Sequence, residues 1–391
     1  MTEWKTYRLG DIIDKIIDNR GKSAPTSDEK YSPIIEINSI GDRNPNYDVV
    51  RKWVSKDTYD TWFRSGHPMI GDILIPTVGT IGIVSMMREN KGCIAQNIVA
   101  LRTNEKAHNL YLYYFLKSGY VKQELLNLNI GGVQPSIKVP HLLNLEISLP
   151  GLEEQRRIAG ILGAIDDKIE NNRRINNNLE QQAQALYRQW FVDNRQDDWE
   201  VGVVSDYYDI TIGKTPPRKE KQWFSHNPKD SIWVSISDMG SCGVYISDSS
   251  EYLTPEAVDK FNIKVVPNNI VLLSFKLTVG RVAISDGIMT TNEAIAHFNT
   301  SNDYLTEYTY LALKAYNFAN LGSTSSSATA VNSKIIKSML WVMPNDNVLR
   351  DFHNIVAPIF TQIKNNIREN ETLALLRDTL LPKLMNNEIS L

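Results

Sequence analysis

The sequence predicts two copies of a mixed α/β (α+β) globular unit, related by pseudo-twofold symmetry. It predicts that a long antiparallel two-helix coiled coil joins and separates them. Three observations carry this. Sequence features recur with a period near 195 residues. Each half mixes short apolar runs of strand type with short helical runs. Each half closes on a long stretch with apolar residues in steps of three and four. The expected boundaries are 1–150 for the first unit, 151–196 for a central helix, 197–344 for the second unit and 345–391 for a C-terminal helix.

The repeat can be followed along the chain. Both halves open on a Gly-Lys-hydroxyl-Pro loop, GKSAP at 21–25 and GKTPP at 213–217. An apolar run with a Gly-containing turn follows, GDILIPTVGTIGIV at 71–84 and NNIVLLSFKLTVGRVAI at 268–284. Next come AQNIVAL (95–101) and TNEAIAHF (291–298), then the aromatic helices YLYYFLKS (111–118) and YTYLALKAY (308–316). Residues 131–150 and 325–344 align without a gap, as a small-residue loop, a short helix, an apolar strand and a final Pro. A period this long marks a duplicated unit rather than a solenoid.

From Glu153 to Trp190 there is no Pro, and Gly160 and Gly163 are the only breakers. As one helix these residues would span roughly 57 Å at about 1.5 Å per residue. Their seam runs Ile165, Ile169, Asn172, Asn176, Leu179, Ala183, Leu186 and Trp190. Seams this narrow are unstable alone in water, so the central helix and its counterpart from about Arg350 to Lys383 are expected to pair. Asn172, Asn176 and Asn370, the repeat partner of Asn172, are the expected register marks: a polar residue in an apolar seam fixes alignment at a cost in stability. Arg173, Arg174 and Asn177 should face outward, and Pro358 should kink or restart the second helix.

Composition narrows the function classes. The chain has 391 residues, 42% hydrophobic and 22% charged, as in an ordinary soluble globular protein. No apolar run is long enough to span a bilayer, so no membrane partner is expected and cytoplasm is the expected location. Cys93 and Cys242 form no CxxC and no Cys/His cluster, and are expected to be buried free thiols. The net charge is −3, and residues 1–150 carry 18 Lys and Arg against 16 Asp and Glu. No segment is a basic block. DNA binding would need the positive residues gathered on one face.

Catalytic motifs fail one by one. GKT at 213–215 would need Gly at 208 to be a phosphate loop, and 208 is Tyr. NPNY at 44–47 departs from the Asn-Pro-Pro-Tyr of adenine methyltransferases at its third residue and lacks a Gly-rich cofactor loop. Asp28, Glu29 and Lys30 read as a solvated turn, and DDK at 166–168 as a helix face. The six His show no metal spacing, and no GxSxG occurs. Trp62, Trp223 and Trp233 are expected to pack rather than stack on bases.

The order of these features resembles the specificity subunit of type I restriction-modification systems. The stretch Pro150, Gly151, Leu152, Glu154, Gln155, Arg156, Ile158, Ala159, Ile161 and Leu162 carries the helix-opening motif. Its second copy, NDNVLRDFHNIVAPIF after Pro344, keeps apolar positions and loses Glu-Gln. LLPKLMNNEI at 380–389, GDILI and SFKLTVGR also look like family segments. The resemblance implies a DNA-reading subunit, non-catalytic by itself, within a DNA adenine methyltransferase and type I endonuclease complex. Each globular unit would be a target recognition domain reading half of a bipartite target in double-stranded DNA. The helices would set the gap and dock two methyltransferase subunits, with motor-nuclease subunits completing the enzyme. This chain would carry no cofactor; S-adenosylmethionine, ATP and Mg would belong to the partners. Two other readings stay open on the residues alone: a double-headed scaffold that does not read DNA, and a self-contained DNA-modifying enzyme.

Phosphates are held by Lys, Arg, hydroxyls and backbone N–H groups, and base edges are read by Arg, Asn, Gln and Lys. The matching loops therefore supply the candidates. In the first half these are Arg20, Lys22, Ser23, Asn38, Thr80, Gln134, Ser136 and Lys138. In the second they are Lys214, Thr215, Arg218, Lys219, Lys276, Thr278, Arg281, Lys334 and the loop Ser323 to Thr329, which includes Ser325.

Overall fold

The computed structural model describes residues 4–132, 134–318, 321 and 331–389. Two compact units build the chain, Met1–Ile169 with Thr372–Leu391, and Glu170–Glu371. The first unit thus takes in the start of the central helix and the end of the C-terminal helix, and the second takes in the rest of both.

In the first unit, strands Ile13–Asp18, Ile98–Thr103, Ile73–Pro76 and Ser85–Met86 form an antiparallel sheet in that spatial order. A second sheet orders Trp53–Val54, Ser32–Ile35 and Cys93–Ile94, the last pair parallel. Lys5–Arg8 pairs with Glu146–Leu149. Strand Ile73–Pro76 is buried along its whole length, as a central strand made of ILIP should be.

The second unit repeats this register for register. Its sheet orders Asp209–Ile212, Ile295–Asn299, Val271–Ser274 and Val282–Ser285, with the short strand Tyr245–Ile246 added in parallel at the edge. Ile73 pairs with Leu101 on one side and Met86 on the other. Val271 pairs with Phe298 and Ile284 in the same way. The parallel pair recurs as Trp233 with Thr290, and the terminal pair as Glu200–Val203 with Leu340–Met343. The aromatic helices recur as Asn109–Lys117 and Thr306–Ala315.

The central helix runs Leu152–Tyr187. Glu153 and Glu154 lie in its first turn, where carboxylates favour the N-terminal dipole. Gln155 of the motif is buried. Its side chain accepts from the His108 N–H and donates to the Lys106 and Pro150 carbonyls at 3.2 and 2.9 Å. Its amide thus fastens the helix start to the loop before the aromatic helix.

The helix does not continue as an α-helix to Trp190. It widens into a π-helical turn at Arg188–Asp193. The extra residue per turn seats Phe191 among Tyr308, Phe352 and Trp199, with ring centroids 4.7–5.6 Å apart. The C-terminal helix runs unbroken from Asp346 to Met385 and contains Pro358. The helix neither stops nor restarts there. Pro358 and Asn354, whose carbonyl loses its usual donor, both lie on the exposed face, where water can serve that carbonyl.

The helices pair antiparallel. In the second unit Asn172 Nδ2 donates to Asn370 Oδ1 at 2.9 Å and to Glu369 at 2.7 Å. Four residues on, Asn176 accepts from Asn366 Nδ2 at 2.7 Å and donates to the Ile363 carbonyl at 3.3 Å. In the first unit Arg377 meets Asp166. Asn172 is buried, and Arg173, Arg174 and Asn177 are exposed. The helices do more than pair. Ile158, Ala159, Leu162, Leu381, Leu384 and Met385 are part of the first unit's core. Ala183, Leu349, Phe352, Val356, Phe360 and Ile363 are part of the second's. Pairing and packing on the globular units are therefore both present, because each helix buries more than a heptad stripe. Ile161 and Ile175, apolar positions of the repeat, face outward.

Cys93 is buried and Cys242 only half-buried; both are free thiols. Trp233 is buried, whereas Trp62, at the end of helix Lys56–Thr61, is 38% exposed. Among the described residues no helix is long and apolar enough to cross a membrane.

Candidate nucleic-acid interface

Most of the described candidate residues sit on loops that follow corresponding strands of the two repeated sheets, with Asn38 in the 3-10 turn Ile37–Ser39 and Lys334 in the short helix Ser333–Lys337. In the first unit the loop after Ile73–Pro76 is the hub. The Thr77 N–H donates to the Asn97 carbonyl and the Gly79 N–H to the Pro135 carbonyl, at 2.8 and 2.9 Å. Val78 bridges to Ser136. Ser23 Oγ donates to Gln96 Oε1 at 3.1 Å, next to Asn97. Ser23, Thr80, Gln134 and Ser136 therefore lie on one connected set of loops. Asn38 follows Ile37, whose side chain lies against Gly79. Lys138 is the exposed residue before helix Val139–Leu143. Lys22, Thr80 and Gln134 are exposed, while Arg20 is held by Asp18 at 2.6 Å.

The second unit builds the same corner with different chemistry. Thr215 Oγ1 donates to Glu293, the residue in the place of Gln96. Gly213 is required there: a Cβ would come within 2.0 Å of Thr291 Oγ1 and 2.2 Å of the Asn292 carbonyl oxygen. Lys214 Nζ donates to the Phe261 carbonyl at 2.6 Å. Arg218 is paired with Glu251 at 2.8 Å and lies over the Phe224 and Trp233 rings, 4.4 and 4.5 Å from their centroids. Arg281 is half-buried and donates to the Ile236 carbonyl at 2.5 Å, so it ties two loops together. Lys219, Lys276, Thr278 and Lys334 are exposed. The loop Ser323 to Thr329, with Ser325, lies outside the described residues.

Glu251 and Glu293 were not among the candidates, although they occupy two of them. The strand register places Glu293 opposite Gln96, because Ile98 pairs with Pro76 as Ile295 pairs with Ser274, so an amide in the first unit is a carboxylate in the second. With Asp18, these carboxylates keep the loops near electrical balance. Phosphate oxygens would have to compete for Arg20 and Arg218, whereas Lys22, Lys138, Lys219, Lys276 and Lys334 stand ready at the surface.

His297 braces the root of the GKTPP loop. It is fully buried, with Nδ1 2.8 Å from Thr211 Oγ1 and Nε2 2.7 Å from Thr291 Oγ1. The Thr291 carbonyl in turn accepts from the Lys214 N–H. Burial pushes the imidazole down to about 4, so the ring is neutral at neutral pH. The unfolded chain binds this proton near pH 6.5, the folded chain only near 4. The bracing is therefore fully stabilising above about pH 6.5 and is lost as pH falls towards 4. Unfolding measured from pH 7 to 4.5 should show His297→Gln losing less stability than the wild type, by up to about 1.4 kcal/mol per pH unit in that window. Equal slopes would contradict the assignment.

Among the described residues no group of His, Cys, Asp and Glu is placed to hold a metal ion. What remains is a pair of corresponding clusters, with hydroxyls, amides and lysines in the first unit and hydroxyls and lysines in the second. Against known proteins, the sequence profile for the type I restriction modification DNA specificity domain matches twice, at residues 1–181 and 196–346. The chain belongs to this family. The type I specificity subunit is similar to the MjaIX specificity subunit of Methanocaldococcus jannaschii, 27% identical over 350 residues, covering 82% of this chain and 78% of that one. It is also 25% identical to the HindI specificity subunit of Haemophilus influenzae over 334 residues, 66% of this chain and 72% of that one. In structure it resembles the type I restriction-modification S subunit from M. genitalium, with a TM-score of 0.60 at 16% identity over 98% and 96% of the two chains. That likeness shows the fold. The family match makes this chain a specificity subunit, the non-catalytic recognition component of its system.

Proposed function

We propose that each unit of this specificity subunit reads one half of a bipartite target in double-stranded DNA through its loop cluster. The observation that carries this is the duplication itself: the same sheet in the same register presents corresponding loops twice, with different side chains. A duplicated reader with divergent loops is suited to two different half-sequences. The contact set is the exposed one, led by Lys22, Thr80, Gln134 and Lys138 in the first unit and Lys219, Lys276, Thr278 and Lys334 in the second. Hydroxyls and lysines position the phosphates, while the Gln134 amide in the first unit and lysines in the second reach base edges. The paired helices, locked in register by Asn172, Asn176 and Asn370, set the gap between half-sites. Their exposed residues, Arg173, Arg174 and Asn177 among them, offer a surface to two methyltransferase subunits, and motor-nuclease subunits join that assembly. S-adenosylmethionine, ATP and Mg belong to those partners, and the complex works in the cytoplasm.

Methylome sequencing of cells carrying the chain with its methyltransferase subunits tests this reading. Modified adenines should fall in one motif made of two short defined sequences around a fixed gap of unspecified bases.

A further inference from the structure

In the loop after the central sheet strand, one position that is glycine in the first unit is leucine in the second. Residues 77–83, TVGTIGI, correspond one for one to residues 275–281, FKLTVGR, because the strands on both sides share one register. Gly79 has φ +91° and Gly82 φ +78°. Their counterparts are Leu277 at φ +59° and Gly280 at φ +93°. A leucine therefore stands in the left-handed conformation where the sister unit has glycine. That conformation crowds Cβ against the following carbonyl oxygen and is strained for a residue of this kind.

The side chain gains nothing from the fold in return, since Leu277 is 99% exposed. A single exposed apolar residue is ordinary on a protein surface. An exposed apolar residue that also holds a strained backbone is not, because both features work against the folded state. The loop around it is built to hold that shape. Ser274 Oγ donates to the Thr278 carbonyl at 2.6 Å, the Gly280 N–H to the Ser274 carbonyl at 3.0 Å, and the Thr278 N–H to the Lys276 carbonyl at 2.6 Å. Exposed Lys276 and Thr278 flank the leucine and can hold phosphates on either side.

We infer that Leu277 is a specificity-determining residue of the second unit, an apolar tip that contacts base pairs of its half-site between phosphate contacts made by Lys276 and Thr278. The inference rests on the DNA-reading function proposed above. The apolar partner is a thymine methyl group in the major groove or the face of a base step, the two surfaces that leucine meets on a duplex. In the first unit Gly79 leaves this contact out.

The test uses the complex of the full chain with its methyltransferase subunits and a duplex carrying its methylated motif. L277G relieves the backbone, and L277N offers a polar side chain of similar size that accepts positive φ. Both should leave Tm unchanged or raised. Both should weaken binding to the motif by about tenfold, as loss of one base contact does. Binding to unrelated DNA should stay unchanged, and L277M should restore the motif affinity. Replacing thymine by deoxyuridine in the half-site weakens wild-type binding if the methyl group is the partner and leaves it unchanged if the base step is. L277G and L277N complexes that bind and methylate as the wild type does would overturn the inference, as would a lowered Tm in L277G, which would make Leu277 a packing residue. A wild-type complex with no bipartite motif would instead remove the reading beneath it.

Discussion

Arg377→Ala is expected to destabilise the first unit by about 3–5 kcal/mol, the cost of leaving a buried carboxylate without its cation. Asp166 on the central helix is only 6% exposed. Arg377 Nη1 of the C-terminal helix meets its Oδ1 at 2.8 Å, and the Tyr114 hydroxyl donates to its Oδ2 at 2.6 Å. One carboxylate thus joins both long helices to the aromatic helix of the globular part. Without the guanidinium, Tyr114 is left as the partner of a charge that water scarcely reaches. Replacing both groups, as Asp166→Leu with Arg377→Met, should recover much of the loss, because no unpaired charge then remains. Urea unfolding of the two variants against the wild type checks this. A loss below about 1 kcal/mol in Arg377→Ala would mean that the pair behaves as a surface ion pair.

Exchanging the first unit for that of another specificity subunit should replace one half of the methylated motif and leave the other half intact. The structure says where to cut. A graft of residues 1–150 alone sets a foreign core against Ile158, Ala159 and Leu162 of the central helix and Leu381, Leu384 and Met385 of the C-terminal helix. A graft that also brings the donor's counterparts of 152–169 and 372–385 keeps donor side chains together. The second graft should methylate with higher yield, and both should keep the second half-site unchanged. A motif altered in both halves would show that the units do not read independently.

Much of this organisation was legible in the sequence because duplication preserves pattern where it loses identity. The paired Gly-Lys loops, the apolar strands and the heptad steps survive as periodicity, and periodicity follows from which faces are buried. Asn172 and Asn176 stood out because amides in an apolar seam are costly unless paired. Other features depend on contacts that periodicity does not record. Nothing in RQWFVD announces a π-helical turn, which the aromatic cluster around Phe191 imposes. Pro358 is a helix breaker by propensity, and only its position on the solvent side makes it harmless. Arg218 and Arg281 looked as available as Lys276, but Glu251 and the Ile236 carbonyl claim them across distant parts of the chain. Leu277 stands between Lys276 and Thr278 as an ordinary residue of the SFKLTVGR run; what sets it apart is its positive φ where the sister loop has Gly79, a backbone angle that periodicity does not record.

The central claim is that two units of one chain read two halves of one DNA target. Single-molecule methylome sequencing of cells that express this chain with its methyltransferase subunits measures it directly, against cells expressing those subunits without it. The account predicts a single modified motif of two short defined sequences separated by a gap of constant length, absent when the chain is absent. Modification at a continuous undivided site, or an identical methylome with and without the chain, would contradict it.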